Sequence, residues 1–390
     1  MAIYFNFIGS LSSCKETEKF KPYERIENEK GITTKYKFSA RCGSDNHFIS
    51  FMGWERKGGS KDFYSRREVG GKTENCTIKY EDRNKKSVID SVPETSKFII
   101  DVNPSGYVAG LEHLVDDFKD GSVTDEAMAK YKVTSLDEAK AALEKAKAGR
   151  QEYIYAPDFV EALKKFVESK PEGEFHISGE YKLNNYNGQW YSSFMVNKIT
   201  RYVPKDDKPV NNSSMTIKML VTNESVNNEN EEKLIVSGYV PVYAGKDDDG
   251  NPKYDYCPID VVVYKSEETT KKIDGIISKL TYSPDDNVEN AKEIGFVCRV
   301  HNGSDRVKLT YDMLSDEQKE SVDCGLCDIE DIEKEMNGAY GERKTDIEII
   351  RLAKGYTSGA QETVYTVAEI KGESEDDLGL DDDDDIFGLE

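Results

Sequence analysis

Strict alternation of apolar and cationic residues is the feature that most constrains this chain. In "TKYKFSAR", residues 34–41, Tyr36, Phe38 and Ala40 fall on one face of an extended backbone, and Lys35, Lys37 and Arg41 on the other. A period of two fits a half-buried strand and no helix. "IYFNFIG" and "HFISFMGW" read as neighbouring strands. "WERKGGSKDFYSRREVGGK", residues 54–72, is rich in glycine and cations and reads as a long mobile hairpin or loop.

The pattern changes over residues 110–170, read as a helical insert or linker. "SLDEAKAALEKAKAG" opens with a capping box of Ser135 and Glu138. "PDFVEALKKFVESKP" places Pro157 in a first turn and repeats Phe159, Leu163 and Phe166 at helical spacing. Strands return over residues 171–281, with an Asn/Gly turn inside "YNGQWY", and suit a small barrel or sandwich. Residues 282–370 read as α+β, with a hairpin at Asn302-Gly303, a helix near "DIEDIEKEM" and strands in "DIEIIRL" and "ETVYTVAEI". The expected fold class is mainly β with α+β parts.

Charge is distributed unevenly. The chain carries a net charge of −22, yet residues 1–100 hold 19 Lys+Arg against 14 Asp+Glu. From Glu373 onward there are ten carboxylates and no base, so residues 371–390 are expected to be a disordered acidic tail. The first region can therefore still attract a polyanion. Seven scattered cysteines, the absence of a long apolar stretch and a start without basic residues point to reduced thiols and a cytoplasmic protein that enters no membrane.

Two clusters interleave aromatics with cations. The first holds Trp54, Arg56, Lys57, Lys61, Phe63, Tyr64, Arg66 and Arg67; the second holds Tyr181, Lys182, Tyr186, Trp190, Tyr191, Lys198 and Arg201. Flat rings on which bases stack, with cations along the phosphates, are what single-stranded nucleic acid requires. With Lys35, Lys37 and Arg41, and without Phe63 and Tyr181, these residues form the expected DNA-binding set, Trp54 and Trp190 being the stacking candidates. The alternative is that the rings are core and the cations solvated surface.

Other constellations carry less. Cys298, His301, Cys324 and Cys327 have zinc-like spacing, but both Cys324 and Cys327 sit at apolar helix ends, and no metal or other cofactor is expected. Lys272 lies in a K-x-D-G sequence like that of nucleotidyl-transferring ligases, without their accompanying motifs. "KDDDGNPKY" reads as a hairpin turn in preference to a calcium loop. No catalytic set is recognisable, so the chain is not expected to be an enzyme.

A β body followed by "DDDDDIFGLE" resembles the replicative single-stranded-DNA-binding proteins of bacteria and T7-like phages. Asp381, Asp382, Asp383, Asp384, Asp385, Ile386 and Phe387 carry the resemblance, with Gly388, Leu389 and Glu390 following the aromatic. It implies OB-like β-barrel domains, placed here at residues 1–109 and 171–281, that coat single-stranded DNA in replication or recombination. It also implies a tail that competes with DNA and recruits a polymerase, helicase-primase or recombinase. A phage origin suits such a chain. The rival expectations are an acidic interaction protein that mimics DNA, and a nucleotidyltransferase using Lys272.

Overall fold

The computed structural model describes residues 3–204, 211–247, 249–283, 286–303, 306–307, 309–329, 332, 339–340 and 345–372. Alternation builds the first strands: β1 (Ile3–Ser13), β2 (Tyr23–Glu27), β3 (Gly31–Cys42) and β4 (Asp45–Arg56). In β3 the expected division holds, with Tyr36, Phe38 and Ala40 buried and Lys37 and Arg41 exposed. The glycine-rich segment forms a separate hairpin, β5 (Phe63–Val69) with β6 (Lys72–Ile78), turning at Gly70-Gly71 with positive φ at both.

After α1 (Lys86–Ser91) and β7 (Phe98–Pro104) come α2 (Tyr107–Asp120), α3 (Asp125–Tyr131) and α4 (Leu136–Gly149). These three helices bury Leu111, Leu114, Ala139 and Leu143 in a small core of their own. Ser135 caps α4 by accepting from the Glu138 N–H, while the Glu138 carboxylate turns to Thr134 instead of closing the box. Then follow β8 (Arg150–Tyr153), α5 (Ala156–Glu168), β9 (Phe175–Tyr186) and β10 (Gln189–Arg201). Asn187 and Gly188 join β9 to β10 with φ of 53° and 79°, the left-handed pair that a two-residue hairpin turn requires.

The remainder comprises β11 (Ser213–Val221), β12 (Val226–Asn227), β13 (Lys233–Lys246), β14 (Pro252–Tyr264), α6 (Thr270–Leu280) and β15 (Asn290–Val300). A short pair, β16 (Arg306–Val307) and β17 (Ala339–Tyr340), flanks α7 (Asp316–Asp323). The described chain ends with β18 (Ile347–Leu352), β19 (Gln361–Thr366) and α8 (Val367–Lys371). Asn302 and Gly303 do not turn a hairpin between named strands. Gly303 instead bridges to Asp45, where a Cβ would come within 2.1 Å of the Ser44 carbonyl oxygen.

The expectation of OB-like barrel domains at 1–109 and 171–281 is overturned. Among the described residues fifteen strands belong to one mixed sheet, and neither span assembles by itself. Along one edge β1 pairs with β9; along the other its first half pairs with β11 and its second half with β3. Alternation identifies a strand's faces but not its neighbours, and here the neighbours are far away in sequence.

Within the sheet one neighbour order occurs twice. β1, β3, β4, β10 and β9 follow each other through antiparallel pairs, except for a parallel step between β4 and β10. β11, β13, β14, β18 and β15 repeat the order, with the parallel step between β14 and β18. A helix precedes the fourth strand by sequence in each run, α5 in the first and α6 in the second. Phe159 and Leu163 of α5 and Ile273 and Ile276 of α6 enter one core that extends through both runs.

A buried polar cluster joins the runs. Asp45 at the start of β4 accepts from the Arg299 guanidinium at 3.2 Å and the Asn302 N–H at 2.9 Å. His47 Nε2 lies 2.9 Å from Ser213 Oγ, and His301 Nε2 lies 2.8 Å from Glu348. Burial holds the His47 ring neutral, its pKa lowered to about 4.

Candidate nucleic-acid interface

β3 and β4 present a sheet face to solvent beside the buried side that α5 covers. His47, Ile49 and Phe51 of β4 turn inward; Phe48, Met52 and Trp54 turn outward, exposed by 60 %, 46 % and 52 %. The register places Lys35 opposite Met52, Lys37 opposite Ser50 and Arg41 opposite Asn46. Side chains opposed across an antiparallel pair share a face. Three cations therefore flank three large exposed side chains on one surface.

Two glycines permit this arrangement. At Gly31, opposite Arg56, a Cβ would come within 2.6 Å of the Trp54 indole nitrogen, so the indole lies close against the β3 backbone. At Gly53 a Cβ would meet the Pro157 nitrogen at 2.6 Å, so α5 seats directly behind the exposed face.

The electrostatics separate the expected cations into two groups. Among the described residues Lys35, Lys37, Arg41 and Arg56 make no ion pair, Lys37 lying 5.5 Å above the Phe20 ring. Lys57 is paired with Glu27 at 2.5 Å, Lys61 with Glu55 at 3.0 Å and Lys198 with Glu94 at 2.5 Å. Lys182 pairs with Glu180. Arg201 donates to the Glu172 carbonyl and covers the Phe175 ring at 5.4 Å, a structural position.

Tyr64 and Arg66 lie on the exposed side of the β5–β6 hairpin, Tyr64 being 90 % exposed. Arg67 and Phe63 face the other way, Phe63 into a small cluster with Ile78 and Val92. The two sequence clusters thus do not form one patch each.

The β9–β10 hairpin divides the second cluster. Cross-strand pairing sets Tyr191 with Asn184, Tyr186 with Gln189 and Lys182 with Ser193 on one side, and Trp190 with Asn185 on the other. Tyr186 and Tyr191 are 69 % and 51 % exposed. Tyr181 is turned inward against Phe194. The parallel register of Met195 with Ser50 puts the Tyr191 side of β10 on the same surface as Phe48 and Met52. Trp190 looks instead towards Tyr254 and Asp255 of β14.

Sequence reading missed Phe48 and Met52. Alternation does not single them out, because "HFISFMGW" is apolar on both faces, with Phe48-Ile49 and Phe51-Met52 adjacent.

The second run is covered over only part of the corresponding side, Tyr243 and Tyr254 near the tip of the β13–β14 hairpin remaining exposed. Tyr239 on β13 and Tyr256 on β14 occupy the corresponding outward side, and β19 and α8 cover them. Tyr365 meets Tyr256 at 6.1 Å between centroids, Ile370 is buried beside them, and the Tyr256 hydroxyl donates to Glu369.

The remaining constellations do not gather. Cys298 is buried in β15, its thiol pKa raised by burial, whereas Cys324 is exposed at the end of α7. No group of three metal-ligating side chains occurs among the described residues. Lys272 is half-buried on α6, its pKa lowered by burial. Asn251 donates to Asp247 and closes the β13–β14 hairpin. Asp381 to Asp385, Ile386 and Phe387 lie outside the described residues. No helix among the described residues is long and apolar enough to cross a membrane. No protein-family model matches this chain, and no curated protein matches it in sequence.

Proposed function

We propose that this protein binds single-stranded DNA on the open face of β3, β4 and the β9–β10 hairpin, and acts by binding without catalysis. The observation that carries the reading is the exposure of Phe48, Met52 and Trp54 beside the unpaired cations Lys35, Lys37 and Arg41 on one sheet face. Large apolar side chains are seldom left exposed in a contiguous group without a partner. Bases supply that partner by stacking, and the cations follow the phosphates. A duplex hides its base faces, so single strands are preferred.

The acidic tail belongs to the same proposal. Its root follows α8, whose Lys371 and the adjoining Gly372 border the cleft beside Trp190. Ten carboxylates on a tether imitate a run of phosphates at high local concentration and compete for the cationic face. Once DNA displaces them, Ile386 and Phe387 are free to recruit a replication protein.

Titrating labelled oligo(dT) and duplex DNA at two salt concentrations tests this. Tight, salt-sensitive binding to single strands with little sequence preference supports it; equal or tighter duplex binding overturns it. A second reading rests on charge: residues 211–370 carry 32 Asp+Glu against 18 Lys+Arg, suiting an acidic protein that binds basic partners. That reading requires no DNA affinity even after the tail is removed.

A further inference from the structure

We infer that the cleft between the tips of the β9–β10 and β13–β14 hairpins is a distinct nucleobase subsite, entered by a single strand as it leaves the open face. The inference rests on the reading of that face as a DNA-binding surface. The cleft measures about 670 Å³, within the usual range of small-molecule sites, and is lined by Trp190, Pro252, Tyr254, Asn185, Lys253 and Asp255. Asn185 Nδ2 donates to Asp255 Oδ2 at 3.2 Å and ties the two hairpins together.

Continuity with the open face gives the route. Tyr186 and Tyr191 lie on the outer side of the β9–β10 hairpin and Trp190 on the inner side, one hairpin thickness away. A sugar–phosphate backbone bending round the Asn187-Gly188 turn delivers the next base to the Trp190 ring.

Charge selects what enters. Asp247, Asp255 and Glu369 border the cleft and disfavour a phosphate or a carboxylate inside it. Carboxylate and carboxamide oxygens accept hydrogen bonds from the ring N–H and exocyclic amino groups of a neutral base. The base therefore turns inward, and the phosphate stays at the rim near the exposed Lys253. The same repulsion excludes the acidic tail as occupant.

The chain has two tryptophans, one on each surface, and this allows a direct test. Trp54→Phe leaves Trp190 as the reporter in the full chain, and Trp190→Phe leaves Trp54. Saturation with oligo(dT) of about twenty nucleotides is expected to quench both emissions. Tyr254→Ala is expected to abolish most of the Trp190 quench and weaken binding about 5- to 150-fold, the effect of one stacked base, while Tyr254→Phe retains both. Should Tyr254→Ala unfold the hairpin, Lys253→Glu at an exposed position reduces the same signal. An unchanged Trp190 emission with Trp54 quenched overturns the subsite and spares the open face. If neither emission changes, the DNA-binding reading fails and the subsite with it.

Discussion

Trp190 and Tyr191 are consecutive in the chain and face opposite sides of one hairpin, their cross-strand partners being Asn185 and Asn184. The first looks into a cleft between hairpins, and the second onto the surface shared with Phe48. On the proposed function, Tyr191→Ala weakens oligo(dT) binding without altering Trp190 emission in the free protein. A shift in that emission would mean the two rings report one surface.

Phe48→Ala and Trp54→Ala each remove a ring that is more than half exposed. Each is expected to cost about 1–3 kcal/mol of single-strand binding with a melting temperature close to that of the parent. Fluorescence anisotropy and a thermal melt distinguish this from a core role, in which the melting temperature falls and affinity per folded molecule does not.

Replacing Lys35, Lys37 and Arg41 together by Gln removes three unpaired cations. The slope of log affinity against log salt is expected to become shallower by about 2, since each phosphate contact on a single strand contributes about 0.7. Lys198→Gln is expected to leave the slope nearly unchanged, because that ammonium is paired with Glu94. Equal effects from the two variants would contradict the division into paired and unpaired cations.

Truncation after Lys371 removes ten carboxylates from a chain of net charge −22, leaving −12. Tighter single-strand binding is expected, most visibly at low salt, where screening is weak. Phe387→Ala keeps every charge and is expected to spare DNA affinity while weakening capture of a replication protein, because buried aromatic anchors dominate small interfaces. A truncated protein that binds DNA as the full chain does reduces the tail to a solubilising role.

His47 makes stability depend on pH. Its folded pKa, lowered to about 4 by burial, lies below the value near 6.5 of an unfolded chain. The unfolded state therefore takes up the proton first. The contribution is fully present above about pH 6.5 and is lost as pH falls towards 4, by roughly 2 kcal/mol between pH 7.5 and 5. Urea titrations of the parent and His47→Asn at both values check this: the parent should lose more stability than the variant by about that amount.

Local geometry was legible in the sequence. Alternation placed Tyr36, Phe38 and Ala40 inside and Lys35, Lys37 and Arg41 outside, and Asn187-Gly188 announced its turn. In "HFISFMGW" both faces are apolar, so alternation leaves open which of Phe48, Ile49, Phe51 and Met52 are exposed; applied to Trp190-Tyr191 it places the two rings on opposite sides. Pairing partners were not legible. Nothing in "IYFNFIG" specifies that Ile3 meets Tyr181 and Tyr4 meets Thr216, because backbone hydrogen bonds carry no sequence label. Ion pairing was equally hidden: Lys198 and Arg201 look like free cations until Glu94 and the Glu172 carbonyl arrive beside them.

The long-range pairing of β1 has a consequence for synthesis. A ribosome adding about 5–20 residues per second takes on the order of ten to forty seconds to travel from Ile3 to its partner Tyr181. Throughout that interval Phe5 and Phe7, both buried in the finished protein, lack the cover of Phe194 and the β9–β10 hairpin. β3 can offer β1 only the four residues Ser10 to Ser13, and β11 arrives later still. A chain released at residue 109 is expected to be insoluble, and chaperones that hold nascent chains are expected to remain on β1 until the β9–β10 hairpin has emerged.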